Sequence, residues 1–223
     1  MATAACPTPS LADRITKSLL GYGVIAGPVY VIVVAAQAAT RAGFDPARHP
    51  ASILANGGLG WIQVANFLVT GAMTIAAAVG MHRALRSGSA ALWAALLVGG
   101  YGAALVCAGV FRADPAPDFP PGSHVEQGHV SWHGALHLLS GSVGFVCLIG
   151  ACLILARWFA RRPWAWFSAL VGILVALGFG TLAAGSQSAA AMLGFIAAVV
   201  LGWAWLAAVS VYLYRAVGAT PAA

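Results

Sequence analysis

The sequence predicts an all-α polytopic membrane bundle of six transmembrane helices, with both termini on the cytoplasmic side. Charged residues make up only 7% of the 223 positions and hydrophobic ones 61%, whereas a soluble domain carries about a quarter charged residues. Mean hydropathy is +0.89. Six apolar runs alternate with short polar connections, and each approaches the roughly 20 residues that a bilayer requires.

Taken in order, residues 1–17 read as a short polar tail with Pro7, Pro9, Asp13, Arg14 and Lys17. The first span is expected over 18–40; its Gly21, Gly23, Gly27 and Pro28 suit close helix approach in lipid, where an internal proline is tolerated. The apolar run continues for about twenty residues, long enough to span, so a cleaved signal peptide is not expected. A connection rich in turn residues, Arg41 to Ser52, leads through a short interfacial helix into span two, 60–85. Span three covers 90–111, with Gly99, Gly100, Gly102 and Gly109 as packing positions. The longest connection, 112–128, is broken by prolines. Spans four, five and six follow at 129–156, 164–184 and 190–214, the last two joined by a tight turn at Gly185-Ser186-Gln187-Ser188, and 218–223 form a second tail.

Basic residues choose the orientation. Arg14, Lys17, Arg83, Arg86, Arg157, Arg161, Arg162 and Arg215 fall on one side, and Arg41, Arg48 and Arg112 on the other. The richer side is expected to be cytoplasmic, in a bacterial cytoplasmic (inner) membrane. The formal charge of +6 is thus a topology signal, and nucleic acid is not an expected partner. Cys107, Cys147 and Cys152 lie in apolar runs and Cys6 in the tail, with no CxxC pair, so neither a disulfide framework nor a zinc ribbon is indicated.

Polar chemistry gathers on the outer side. Asp45, Asp114, Asp118 and Glu126 fall there, as do His49, His124, His129, His133 and His137. The histidines at 129, 133 and 137 recur every four residues and share a helix face. The first and third are separated by a rise of about 12 Å, too far for one metal ion. His133 and His137 alone have the spacing of helical zinc sites, but Gly134 stands where a metalloprotease carries its glutamate. Three readings follow for this pair: a divalent metal such as zinc, hydrogen bonds to neighbouring amides, or acid/base work on a ligand. In span two, Gln63, Asn66, Thr70 and Thr74 fall within an arc of about 80° and should face other helices or a wet cavity. Arg41, Asp45, Arg48 and His49 read either as a headgroup-binding set or as loop-closing pairs.

Three stretches also resemble a known family. They are Gly27-Pro28; Phe44-Asp45-Pro46 with His49-Pro50 and Ser52, running on to Gly60-Trp61, Gln63 and Asn66-Phe67; and Phe111-Arg112, Asp114-Pro115, Phe119-Pro120-Pro121-Gly122 and Trp132-His133-Gly134 with His137. Together they resemble bacterial membrane proteins of domain of unknown function 998, over about residues 18–215. The resemblance implies a compact six-helix membrane bundle and brings no reaction with it.

Two functions are expected from these readings. One is a membrane-embedded enzyme or binding protein for a lipid or isoprenoid-like molecule. In it His133, His137, Asp45 and Asp114 are catalytic candidates, and Gln63, Asn66, Arg48, Trp132 and Asp118 contact the substrate. The other is an accessory, structural or transport-associated protein whose histidines serve helix packing. Membrane lipids are partners in both.

Overall fold

The computed structural model describes residues 10–85, 88–123, 130–159 and 162–218. His124, Glu126 and His129, together with Cys6, Arg86 and Arg161, lie outside them. Six helices follow in chain order: α1 Leu11–Thr40, α2 Gly60–Leu85, α3 Ser89–Val110, α4 Trp132–Trp158, α5 Arg162–Ala183 and α6 Ala189–Ala216. Each is long and apolar enough to cross a membrane. The protein is therefore an all-helical, multi-pass membrane protein surrounded by lipid.

Helix ends follow local chemistry more closely than hydropathy. α1 starts at Leu11, well before the apolar run, because Ser10 caps it by accepting from the Asp13 N–H and Asp13 sits in the first turn. Ser131 and Ser188 cap α4 and α6 in the same way. Between α1 and α2 the expected interfacial helix is a single 3₁₀ turn, Ala51–Ala55.

Each helix packs on its predecessor and successor, and α6 closes on α1, so the six form a ring in chain order. Small residues set the spacing. Gly102 and Gly71 face each other's backbone: a methyl added to Gly102 would stand 2.8 Å from the Gly71 carbonyl oxygen. Gly109 seats Phe67 and Gly100 seats Cys147, whereas a methyl on Gly99 would find only ordinary contact at 3.6 Å. Where α1 meets α6, Gly27 lies against Trp203 and Gly23 against Ser210. Between α5 and α6, Trp205 donates to Ser168 over 3.0 Å.

The long connections fold on each other at the end of the bundle where α1, α3 and α5 finish. Phe119 is fully buried there among Ile53, Leu54, Ala113 and Phe44, which stabilises the cap by about 1.5–3 kcal/mol. Arg41, lying over the Phe119 ring, donates to the Leu54 and Asn56 carbonyls, 2.6 Å each. Asn56 donates to the Ala113 carbonyl at 3.0 Å, tying one connection to the other.

This packing predicts a contrast between two neighbouring glycines. Gly102→Ala should lower thermal stability in detergent by about 1–3 kcal/mol, the usual cost of overpacking. Gly99→Ala should be neutral or slightly stabilising, because alanine favours helix and the space is open.

Candidate functional site

The α3–α4 junction concentrates the chemistry, and its geometry follows from two helix ends that need partners. The last carbonyls of a helix have no intrahelical donor, and inside a bilayer no water replaces one. At the end of α3 that donor is His137, one turn into α4. Its Nδ1 lies 3.1 Å from the Ala108 carbonyl oxygen and 2.9 Å from that of Phe111. A carbonyl only accepts, so Nδ1 carries the hydrogen and Nε2 of the neutral ring keeps its lone pair. The imidazole is only 7% exposed.

The start of α4 is capped from the opposite direction. Asp114, on the connection leaving α3, accepts from the Ser131 backbone N–H at 2.9 Å and from the Ser131 hydroxyl. The same hydroxyl accepts from the Gly134 N–H at 3.0 Å. A carboxylate beside the first N–H groups of a helix also meets the positive end of its dipole, worth about 0.3–1 kcal/mol. Gly134 is what admits it, since a β-carbon there would land on the Asp114 carboxylate. His133 completes the junction, with Nδ1 at 3.2 Å from the Arg112 carbonyl oxygen and 3.7 Å from Asp114 Oδ1.

A cavity of about 300 Å³ lies inside the ring, below the cap. His137 lines it, and Ser140, Gly141 and Gly144 continue its wall along α4. Tyr30 and Tyr101 border it where they meet Trp203, with ring centroids 5.2 and 5.6 Å from the indole. Phe44, Pro46 and Pro50 of the first connection close the top. Above the Gly23 and Gly27 contacts, α1 and α6 present Val34, Ala35, Ile196 and Val200 to the cavity. Ala35 and Val200 combine a place in this wall with solvent-accessible exposure.

The other sequence-expected residues are distributed differently. Gln63 and Asn66 are buried, but they turn toward α1. Gln37 donates to Gln63 Oε1 at 2.9 Å, and Asn66 donates to the Tyr30 carbonyl at 3.2 Å. The polar stripe of α2 therefore does not meet the histidines of α4; Phe67 stands between them, edge-on to His137 at 6.3 Å. Thr70 and Thr74 return their hydroxyls to the carbonyls of Asn66 and Thr70.

Asp45 shapes a turn: it accepts from the Ala47 N–H at 2.8 Å. His49, only 3% exposed, accepts from the Asp45 N–H at Nδ1 and meets the Pro117 carbonyl at Nε2, 3.1 and 3.3 Å. Arg48 and Asp118 pair at 3.2 Å on the surface, with Asp118 in the left-handed region at φ 67°. Trp132 is 71% exposed beside Phe111 and His133, as suits an interfacial anchor. None of Asp45, Arg48, Asp118 and Trp132 lines the cavity. Among the described residues no three of His, Cys, Asp and Glu converge as a metal site would require.

Three contributors escaped the sequence reading: Ser131, Tyr30 and Tyr101. Ser131 carries the N-cap signal, a serine just before an apolar helix. Tyr30 and Tyr101 were visible as isolated phenols deep in apolar runs.

The junction predicts that Gly134→Ala destabilises the protein by displacing Asp114. Asp114→Ala should cost about 1–3 kcal/mol by leaving the Ser131 donors unmet, and the double variant should be no worse than the more damaging single one. Thermal unfolding in detergent reads all three, and additive losses would show that the two residues act independently.

No curated protein and no solved structure matches the chain. A family model described as a protein of unknown function, DUF998, matches residues 24–212. That span runs from within α1 to within α6 and takes in the cap and the α3–α4 junction, and the chain belongs to this family.

Proposed function

We propose that this protein binds an apolar small molecule within the membrane, in the cavity between α1, α3, α4 and α6. The observation that carries the reading is a buried imidazole whose Nδ1 is held by the Ala108 and Phe111 carbonyls while the ring lines a mostly apolar chamber. A pocket of a few hundred Å³ with apolar walls and one or two placed polar groups is the usual form of a small-molecule site. The exposure of Ala35 and Val200 in the cavity wall supports entry sideways from lipid, between α1 and α6. By the distribution of basic residues, the capped end lies on the outer side.

Binding is favoured over catalysis because the candidate acid/base groups are engaged elsewhere. Asp114 and Ser131 cap α4, and Asp45 and His49 hold the cap together. Among the described residues, no charged group lines the cavity beside His137.

Gly141 offers a clean test, since it lines the cavity and a β-carbon there meets nothing within 4 Å. Gly141→Leu should fill the chamber while leaving the fold intact. With a photoactivatable alkyl diazirine in membranes, the wild type is expected to be labelled at Tyr101, Ala104 and Phe145, and Gly141→Leu to lose those labels while keeping its melting temperature. Equal labelling of the two proteins at those positions would refute the binding reading.

A further inference from the structure

The wall of the cavity also carries information about the head of its ligand. Its polar side chains are Tyr30, Ser52, Tyr101, His137 and Ser140, and among the described residues no charged one lines it. Two basic groups near it in sequence are engaged: Arg48 is paired with Asp118 on the surface, and Arg41 is committed to the Leu54 and Asn56 carbonyls. A phosphate or carboxylate entering this space would stay uncompensated, at a large desolvation cost.

The groups on α4 ask for a hydrogen. His137 keeps a lone pair on Nε2, because Nδ1 donates to the α3 carbonyls. Ser140, one turn further, spends its hydroxyl hydrogen on the Leu136 carbonyl at 2.7 Å, so toward any ligand it too is an acceptor. Two acceptors one turn apart, with no cation between them, select a neutral donor. A quaternary ammonium would find aromatic faces here but could offer no hydrogen to either acceptor. Below the acceptors, Val31, Val34, Ile196 and Val199 continue an apolar path. The volume of about 300 Å³ stands at the small end of the range for ligand pockets, which runs from about 300 to 1,000 Å³, and suits one hydrocarbon chain.

We infer that the ligand is a single-chain, uncharged amphiphile whose hydroxyl donates to His137 Nε2 while its chain lies between α1 and α6. This inference rests on the binding reading above.

Full-length protein in lipid nanodiscs is incubated with radiolabelled dodecanol and challenged with unlabelled dodecanol, dodecyl phosphate, dodecyltrimethylammonium or dodecane, with Gly141→Leu nanodiscs as the measure of simple partitioning. Direct binding of radiolabelled dodecane is followed in parallel. Dodecanol should compete about tenfold better than the other three, the worth of one net hydrogen bond in an apolar site. His137→Asn, whose amide still offers a hydrogen to the Ala108 and Phe111 carbonyls but has no counterpart of Nε2, should lose the preference for the alcohol over dodecane. Dodecyl phosphate or dodecyltrimethylammonium competing as well as dodecanol overturns the inference, as does an alcohol preference that survives in His137→Asn. If dodecane binds saturably to the wild type and the alcohol gains nothing over it, the inference fails and the cavity reading stands. If neither ligand binds beyond the Gly141→Leu background, both fail.

Discussion

The hydrogen bond from His137 to the end of α3 is the interaction on which the rest of the site depends. A helix that ends inside or near the hydrocarbon layer leaves carbonyls that must find donors within the protein. Taking that donor from α4 fixes three things together: the approach of α4 to α3, the tautomer of the ring, and which nitrogen remains for anything else. Asp114 supplies the reverse bond, from the connection after α3 to the first N–H groups of α4. The two helix ends are thus capped by each other's segments, and Gly134 makes room for the exchange. In this arrangement the His-Gly-x-x-His pattern anchors the junction at His133 and Gly134, and its last residue both caps α3 and lines the cavity.

The cap and the glycine seams turn that local device into a chamber. Tight contacts at Gly23 and Gly27 draw α1 and α6 together over one half of their length, and Pro28 removes a helical hydrogen bond at the same level. Beyond them the side chains lengthen to valine, isoleucine and phenylalanine, and the cavity lies among those residues. At the capped end, the connections around Phe119 use hydrogen bonds to backbone carbonyls and ring packing, with the Arg48–Asp118 ion pair left at the surface. An exposed pair of this kind contributes little to stability, about 0–1 kcal/mol; buried Phe119 and the doubly bonded Arg41 hold the cap.

Much of the fold was legible in the sequence, because the bilayer imposes a length and an apolar composition on each span, and six helices of that kind are described, although the Ser10 cap starts α1 at Leu11, ahead of its apolar run. The grouping of His133 and His137 on one face was legible from their spacing. Partners were not. Periodicity says that Gln63 and Asn66 face inward, but the neighbour they meet depends on how α2 is rotated against α1, which small-residue packing decides. It likewise assigns His133 and His137 to one face without distinguishing a residue in the first helical turn, beside Asp114, from one a turn deeper, on the cavity. The turn role of Asp45 and the buried bonds of His49 depend on a contact between two connections far apart in the chain, which no local pattern encodes.

The most direct test of this account is the protonation pattern of one ring. Nitrogen-15 NMR of protein labelled at histidine, with His137→Phe used to assign the signal, distinguishes the two neutral tautomers of His137 in lipid at neutral pH. The account predicts a hydrogen on Nδ1, bonded to the carbonyls of Ala108 and Phe111, and a lone pair on Nε2 whose resonance moves when an alcohol is added. A neutral ring carrying its hydrogen on Nε2 would contradict it, because the end of α3 would then lack the donor around which the junction and its cavity are built.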